Sequence, residues 1–148
     1  MSIFKKLQAI DCGKHIEKKG KFSYLSWSWA WATLKEHCPD ASFKKNTFGI
    51  DENERPYMID SEGYAYVSVS VWVDDQEANE IMPVLNHQNK PIQNPNSFDV
   101  NTALQRTLVK AIAFHGLGLY IYAGEDLPPS EPKPIEYVTG KDLKMLRE

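Results

Sequence analysis

The chain has 148 residues, of which 25% are charged and 42% are hydrophobic, and its net charge is −3. No apolar run reaches the roughly 18 residues of a membrane-spanning helix, and two cysteines are too few for a disulfide scaffold or a four-cysteine zinc site. We expect a cytoplasmic protein with one globular domain and reduced thiols.

The charge is unevenly distributed along the chain. Residues 1–50 hold nine Lys or Arg and four Asp or Glu, whereas residues 51–80 hold one Arg and nine acidic residues. A protein with this distribution can present a basic surface to a polyanion although its average charge is negative.

The first predicted helix follows a Lys-rich segment, residues 1–22, which is expected to be loop with at most a short helix. Ser26 is the predicted N-cap and Pro39 ends the helix. Apolar residues lie on two sides of it, so we expect burial on two sides, either in a thick core or against a second molecule. One stripe comprises Trp27, Ala30, Trp31, Leu34 and Cys38, and the other Leu25, Trp29 and Ala32.

Four antiparallel strands are predicted next, at residues 41–48, 55–60, 64–73 and 78–84. The third strand alternates most regularly, and its aliphatic face is expected to pack on a helix. The opposite face suits a subunit interface or a hydrated groove as well as a core. The aliphatic face comprises Ala65, Val67, Val69, Val71 and Val73, and the opposite face Tyr64, Tyr66, Ser68, Ser70 and Trp72.

A second helix is predicted after a 14-residue loop, residues 85–98, whose length suggests function or disorder. Asp99 is the predicted N-cap of a helix over 100–115, and Gly116 ends it. Arg106 and Lys110 lie one turn apart on its flank. The predicted core stripe comprises Val100, Ala103, Leu104, Thr107, Leu108, Ala111 and Phe114.

The remaining sequence predicts a short extended segment at 117–122 and a Pro-rich linker with a short tail at 125–148. The predicted core domain therefore spans residues 1–124. The chain lacks phosphate-binding glycine loops, zinc-ligand spacings and a nucleophile elbow, so we predict no catalytic residue, cofactor or metal site.

Two alternatives remain open from the residues alone. Asp60, Glu62 and Asp74 at strand ends could hold the metal of a nuclease. The two-sided first helix could instead dock a partner protein, as in a non-enzymatic adaptor.

Basic residues interleaved with aromatic ones favour a third reading, the binding of single-stranded nucleic acid. Cations follow the phosphates of such a strand, and flat side chains stack on its bases at about 1–3 kcal/mol each. Lys-rich segments are often merely solvated, so this signal is weak alone. The candidates are Lys18, Lys19 and Lys21 before Phe22 and Tyr24, then Lys44, Lys45, Lys90, Arg106 and Lys110.

Two longer stretches resemble a known family. The first is Tyr-Leu-Ser-Trp-Ser-Trp-Ala-Trp at 24–31, with Pro-Asp-Ala at 39–41. The second runs from Asp-Val-Asn at 99–101 through Arg106 to Gly-Leu-Gly-Leu-Tyr-Ile-Tyr-Ala-Gly-Glu-Asp-Leu-Pro at 116–128. Together they resemble the Sak-type single-strand annealing proteins of bacteriophages, which are grouped with the eukaryotic strand-annealing recombination mediator.

The resemblance implies an α+β fold in which an antiparallel sheet of about four strands packs on a long helix, with an additional N-terminal helix. It implies homo-oligomers, rings or helical filaments, joined through sheet and helix edges. An outer basic groove would hold single-stranded DNA and anneal complementary strands without ATP, in phage homologous recombination and repair inside the infected host. Possible protein partners are a host single-strand-binding protein and a phage exonuclease.

The resemblance carries over two DNA-binding positions, Arg106 and Lys110, on the helix before the glycine turn. The residues alone add candidates that extend the groove, and they place Trp29 and Trp72 at a subunit interface. Tyr64 and Tyr66 are expected to line the groove or to pack against a neighbour. The lysines that would extend the groove are Lys18, Lys19, Lys21, Lys44, Lys45 and Lys90.

Overall fold

The computed structural model describes residues 2–19 and 22–122. It has an α+β fold with antiparallel sheets, as predicted. The helices are α1 (Ile3–Gln8), α2 (Trp27–His37) and α3 (Ser97–Ala113). The strands are β1 (Ile16–Lys19), β2 (Phe22–Leu25), β3 (Ser42–Lys45), β4 (Met58–Ile59), β5 (Ala65–Val73) and β6 (Gln76–Pro83).

Strand β5 lies at the centre of the larger sheet. Strand β6 pairs with it along its length, from Val73 opposite Gln76 to Tyr66 opposite Pro83. Asp74 and Asp75 both have positive φ angles at the connecting turn, and such a turn matches the right-handed twist of the two strands. The bounds of both strands lie within two residues of the predicted strands 64–73 and 78–84.

Strands β3 and β4 pair with β5 as one interrupted edge strand. Lys45 lies opposite Val69 and Met58 opposite Tyr66, so the twelve residues 46–57 leave the sheet while β5 advances by only two intervening residues. The predicted strands 41–48 and 55–60 were therefore too long. Their missing parts form an excursion closed by an isolated bridge between Phe48 and Arg55.

The hydrophobic core lies beneath one face of the sheet, where α3 contacts β5 and β6 and α2 contacts α3. The predicted aliphatic face of β5 is buried throughout, and so are the α3 residues of the predicted stripe up to Ala111. Phe114 was predicted wrongly, because its side chain is 53% exposed. Helix α3 ends at Ala113, and the buried Ile112 and Leu117 fill the core near this end.

The start of α3 also corrects the prediction. Asn96, not Asp99, is the N-cap, and its side chain accepts a hydrogen bond from the Asp99 backbone N–H. The Asp99 carboxylate in turn accepts one from the Asn96 backbone N–H, completing a capping box. The helix consequently begins three residues earlier than predicted.

The N-cap of α2 is Ser26, as predicted, and its buried residues are Ala30, Thr33 and Leu34. Trp27 does not belong to this buried face, since it is 42% exposed. Trp29 is half-buried and stacks on His15, with ring centroids 4.2 Å apart.

The N-terminal segment is more ordered than the sequence indicated, because β1 and β2 form an antiparallel hairpin. Near it, residues Leu119–Tyr122 form a 3₁₀ turn where an extended segment was predicted. Gly116 and Gly118 have φ angles of +120° and +77°. A Cβ on Gly116 would lie 2.6 Å from the Phe4 carbonyl oxygen, so glycine allows this turn to approach α1 closely.

The predicted loop after β6 contains an ordered arm, defined here as residues 84–94. Its two sides are joined by hydrogen bonds from Ile92 N–H to the Val84 carbonyl and from Asn86 N–H to the Lys90 carbonyl. The Asn94 N–H donates to the Gly63 carbonyl at 2.7 Å and anchors the arm beside the start of β5. No helix in the described ranges is long and apolar enough to cross a membrane.

Candidate nucleic-acid interface

Three elements meet at the side chain of Arg106 on α3. Its Nη2 donates hydrogen bonds to the Tyr24 hydroxyl at 2.9 Å and to Asn89 Oδ1 at 2.7 Å. The Tyr24 hydroxyl donates to the same Asn89 oxygen at 2.8 Å, and the guanidinium carbon lies 4.3 Å from the centre of the Tyr24 ring. This Arg106 junction, comprising Arg106, Tyr24 and Asn89, connects α3, β2 and the arm.

The junction retains a positive charge. Within residues 2–19 and 22–122, both hydrogen-bond acceptors of the half-buried Arg106 are neutral, and its Nε is buried without a partner. An unsatisfied buried donor costs about 1–3 kcal/mol. The buried Nε is therefore a cost to stability at this position, and the two hydrogen-bond acceptors do not neutralise the guanidinium.

One predicted lysine, Lys90, lies on an element of the junction, since it is exposed on the arm directly after Asn89. Lys18 is exposed on β1 opposite Ser23, so it lies on the face of the β1–β2 pair opposite to that of Tyr24. The side chain of Lys19 and the whole of Lys21 lie outside the described part of the chain.

Lys110 lies one turn after Arg106 on α3, as predicted. Its Nζ is 5.4 Å from the centre of the Tyr122 ring. The Tyr120 hydroxyl accepts a hydrogen bond from the Cys12 backbone N–H at 2.9 Å, and burial raises the Tyr120 pKa. A cleft of about 360 Å³ is lined by Gln8, Glu80, Lys110, Ala113, Phe114, Leu119, Tyr120 and Tyr122.

Other predicted DNA-binding residues lie away from the junction. Lys44 lies opposite Ser70, and Tyr66 shares its sheet face, which is opposite to the buried valine face. The Tyr66 ring packs edge-to-face on Phe48. Lys45 is exposed next to Lys44 on the edge strand.

Tyr64 and Trp72, also singled out from the sequence, take two further positions. Tyr64 is half-buried and forms an isolated antiparallel β-bridge with Gln93 at the base of the arm. Trp72 is half-buried on the outer face of the sheet, opposite Glu77 of β6.

The outer face of the sheet holds a polar network that the sequence did not reveal. Asn46 and Asn79 each donate hydrogen bonds to the hydroxyls of Ser68 and Ser70, and the Ser70 hydroxyl donates to Glu77. Both serines are buried. The alternate serines of β5 were the available signal, but their partners come from distant positions in the sequence.

The acidic residues of the nuclease alternative occupy turns. Asp60 Oδ1 accepts hydrogen bonds from the backbone N–H groups of Glu62 and Tyr64, and Asp74 lies at the β5–β6 turn. In the described part of the chain, no three His, Cys, Asp or Glu side chains are grouped as metal ligands.

Comparison with protein families identifies the family of the chain. The model of the Sak single strand annealing protein family matches residues 2–144. The chain belongs to the Sak family of single strand annealing proteins. No curated protein matches the chain.

Membership in the Sak family confirms the resemblance found in the sequence and suggests annealing of single-stranded DNA. The two stretches that carried the resemblance meet in the structure, because Tyr24 belongs to one and Arg106 to the other. The Sak match also extends beyond the boundary predicted after residue 124, and that boundary remains a prediction.

Arg106 was predicted as a DNA-binding residue and Tyr24 lies in a family stretch, whereas Asn89 was not predicted as a site residue. The contact between Asn89 and Arg106 spans 17 positions and depends on how the arm folds. The signals for Asn89 were a loop rich in asparagine and the fit of Asn89 and Lys90 to the family pattern, neither of which assigns it a role.

Proposed function

We propose that this protein binds single-stranded DNA and anneals complementary strands without ATP, in phage homologous recombination. The observation that carries the proposal, beside family membership, is the positive charge of the Arg106 junction, which has only neutral partners among the described residues. DNA phosphates supply the missing negative charge.

Annealing of this kind needs no chemical step. Base pairing provides the free energy, and the protein lowers the repulsion between the two phosphate backbones by neutralising one of them. Holding the strand extended also reduces the entropy cost when its complement pairs. The protein therefore acts as a non-enzymatic annealing factor that requires no nucleotide or metal.

In this proposal the DNA backbone follows α3 at Arg106 and Lys110 and is flanked by Lys90. Lys90 is exposed and lies on the arm, which contacts Arg106 through Asn89. The outer members of the proposed path are Lys18, Lys19, Lys21, Lys44, Lys45, Tyr64 and Tyr66.

We further propose that copies assemble edge to edge into a ring or a helical filament. Within the described ranges β6 pairs only with β5, which leaves the other edge of β6 available, and this strand carries Glu77 and Glu80. The opposite edge strand, β3, carries Lys44 and Lys45. Edges of opposite charge favour head-to-tail pairing, which closes into a ring or continues as a filament.

In such an assembly Lys44 and Lys45 would lie at the seam between copies, where DNA passes from one copy to the next. The half-buried Trp29 and Trp72 would be covered by the neighbouring copy.

The test follows two complementary fluorescent oligonucleotides by energy transfer, in buffer with EDTA and without ATP. We expect the protein to accelerate pairing strongly, and non-complementary oligonucleotides to give no signal. A folded protein that leaves the pairing rate unchanged contradicts annealing. Shortening of end-labelled DNA only when Mg²⁺ is added would instead support the nuclease.

A further inference from the structure

We infer that Tyr24 and Asn89 are positioning residues that fix the Arg106 guanidinium for a DNA phosphate without neutralising it. This inference rests on the proposed function and adds two residues to its site. Tyr24 and Asn89 would act through Arg106 and would not contact the DNA themselves.

The contacts of the junction restrain the Arg106 side chain. Three hydrogen bonds join Arg106, Tyr24 and Asn89 to one another, and the guanidinium carbon also lies over the Tyr24 ring. A solvated arginine samples many rotamers and gives up this freedom when it binds a phosphate. The junction restricts the side chain before DNA arrives.

The contacts also determine which guanidinium nitrogen can reach a DNA phosphate. Nη2 makes both hydrogen bonds and Nε is buried. Nη1 is therefore the nitrogen left to donate to a phosphate oxygen, and its direction is fixed by the contacts of Nη2.

Both hydrogen-bond acceptors of Arg106, the Tyr24 hydroxyl and Asn89 Oδ1, are uncharged. Asn89 has a φ angle of +61°, a left-handed conformation that asparagine and aspartate both tolerate. Aspartate could also accept both hydrogen bonds, so neither the turn nor the hydrogen bonding requires asparagine. Aspartate would, however, neutralise the arginine, whereas asparagine leaves its charge available to the DNA.

The decisive variant is therefore Asn89→Asp, compared with Gln88→Glu. Both make the protein one unit more negative at adjacent positions, but the exposed Gln88 side chain has no part in the junction. Binding of a fluorescent single-stranded oligonucleotide is measured by anisotropy at several salt concentrations, and stability by thermal unfolding.

We expect Asn89→Asp to weaken DNA binding about tenfold or more at an unchanged or higher melting temperature, since it forms an ion pair with Arg106. We expect Gln88→Glu to weaken binding by less than about threefold. Equal weakening by both variants, or normal binding by Asn89→Asp, overturns the inference.

Tyr24→Phe tests the second positioning residue, with Tyr57→Phe as its control. The Tyr57 ring also lies near an arginine, with its centre 5.8 Å from the guanidinium carbon of Arg55, and Tyr57 has no contact with the junction residues in the described structure. We expect Tyr24→Phe to weaken binding by about threefold to tenfold, and Tyr57→Phe to have no effect.

The same Tyr24 change is then made in an Arg106→Met background, where it should have no further effect on binding. A full additional loss of affinity there would show that Tyr24 meets the DNA itself, and the positioning role would be wrong. If the wild-type protein binds no single-stranded DNA, the proposed function fails. If the wild type binds and the junction variants bind equally well, only this inference fails.

Discussion

Asn89 Oδ1 accepts a 2.7 Å hydrogen bond from the guanidinium of Arg106, and this bond ties the arm to the middle of α3. Among the described residues the buried Nε of Arg106 has no acceptor, and an unsatisfied buried donor costs about 1–3 kcal/mol. We therefore expect this arginine to reduce stability relative to an apolar side chain of similar length.

Arg106→Met removes the charge and the unsatisfied donor while retaining a long apolar side chain. We expect an equal or higher melting temperature, because replacing a half-buried, unpaired ion by an apolar side chain is often neutral or stabilising. We expect single-stranded DNA binding to weaken, and the slope of log K against log salt to decrease in magnitude by about 0.7, the change that corresponds to neutralising one phosphate fewer. Thermal unfolding and salt-dependent anisotropy measure the two effects.

Arg55→Met is the matched control, since Arg55 also lies near a tyrosine ring but is exposed. We expect Arg55→Met to change neither the melting temperature nor the salt dependence of DNA binding appreciably. A large decrease in the stability of Arg106→Met alone would contradict this interpretation and show that the arginine mainly supports packing.

Elements with strong local patterns could be predicted from the sequence. The alternation in β5 and the helical stripe of α3 up to Ala111 predicted core residues correctly. The regular geometry of a strand or a helix places these side chains on one face, and that face packs in the core. The prediction for Phe114 was wrong because the predicted stripe continues one residue past Ala113, where the helix ends. Periodicity alone does not show where a helix ends.

The junction shows what local patterns leave out. Tyr24 and Arg106 are 82 residues apart, and nothing in their local sequence specifies that they touch. The β1–β2 hairpin that carries Tyr24 was missed as well, since its strands have four residues each and β1 is rich in lysine. Only the family resemblance had connected these regions.

Gly116→Ala is expected to destabilise the protein by about 2 kcal/mol or more, because the residue has a positive φ and an added Cβ would lie 2.6 Å from the Phe4 carbonyl. Gly13→Ala is the control, since a Cβ there would meet only the Asp11 carboxylate, at 3.1 Å. Urea unfolding gives both free energies. Equal stability of the two variants would mean that α1 moves away at little cost.

Alkaline pH is expected to lower the free energy of unfolding. Burial raises the pKa of the Cys12 thiol; the Tyr120 hydroxyl lowers it and Asp11 raises it by smaller amounts. Burial also raises the pKa of the Tyr120 phenol. The unfolded chain therefore releases these protons at lower pH than the folded protein, so stability is complete below the ordinary thiol pKa of about 8.5 and is lost as pH rises above it.

Urea unfolding between pH 7 and pH 10 measures this decrease, and Cys12→Ala should flatten the profile. Native Cys12 and Cys38 should also react slowly with a thiol reagent, because both are buried. Rapid labelling of the folded protein, or a stability that rises with pH, would contradict the assignment.

Lys90→Ala and Lys44→Ala are expected to differ in their effect on DNA binding. Lys90 follows the junction residue Asn89, whereas Lys44 lies on the sheet face opposite to the core and to α3. Lys90→Ala should reduce the magnitude of the salt slope by about 0.7, because each copy then neutralises one phosphate fewer. Lys44→Ala should leave the slope of an isolated copy unchanged and act only where copies meet. Dilution separates the two effects: a Lys44 contribution that persists when the protein is monomeric would place the DNA on the outer face of the sheet, away from Arg106.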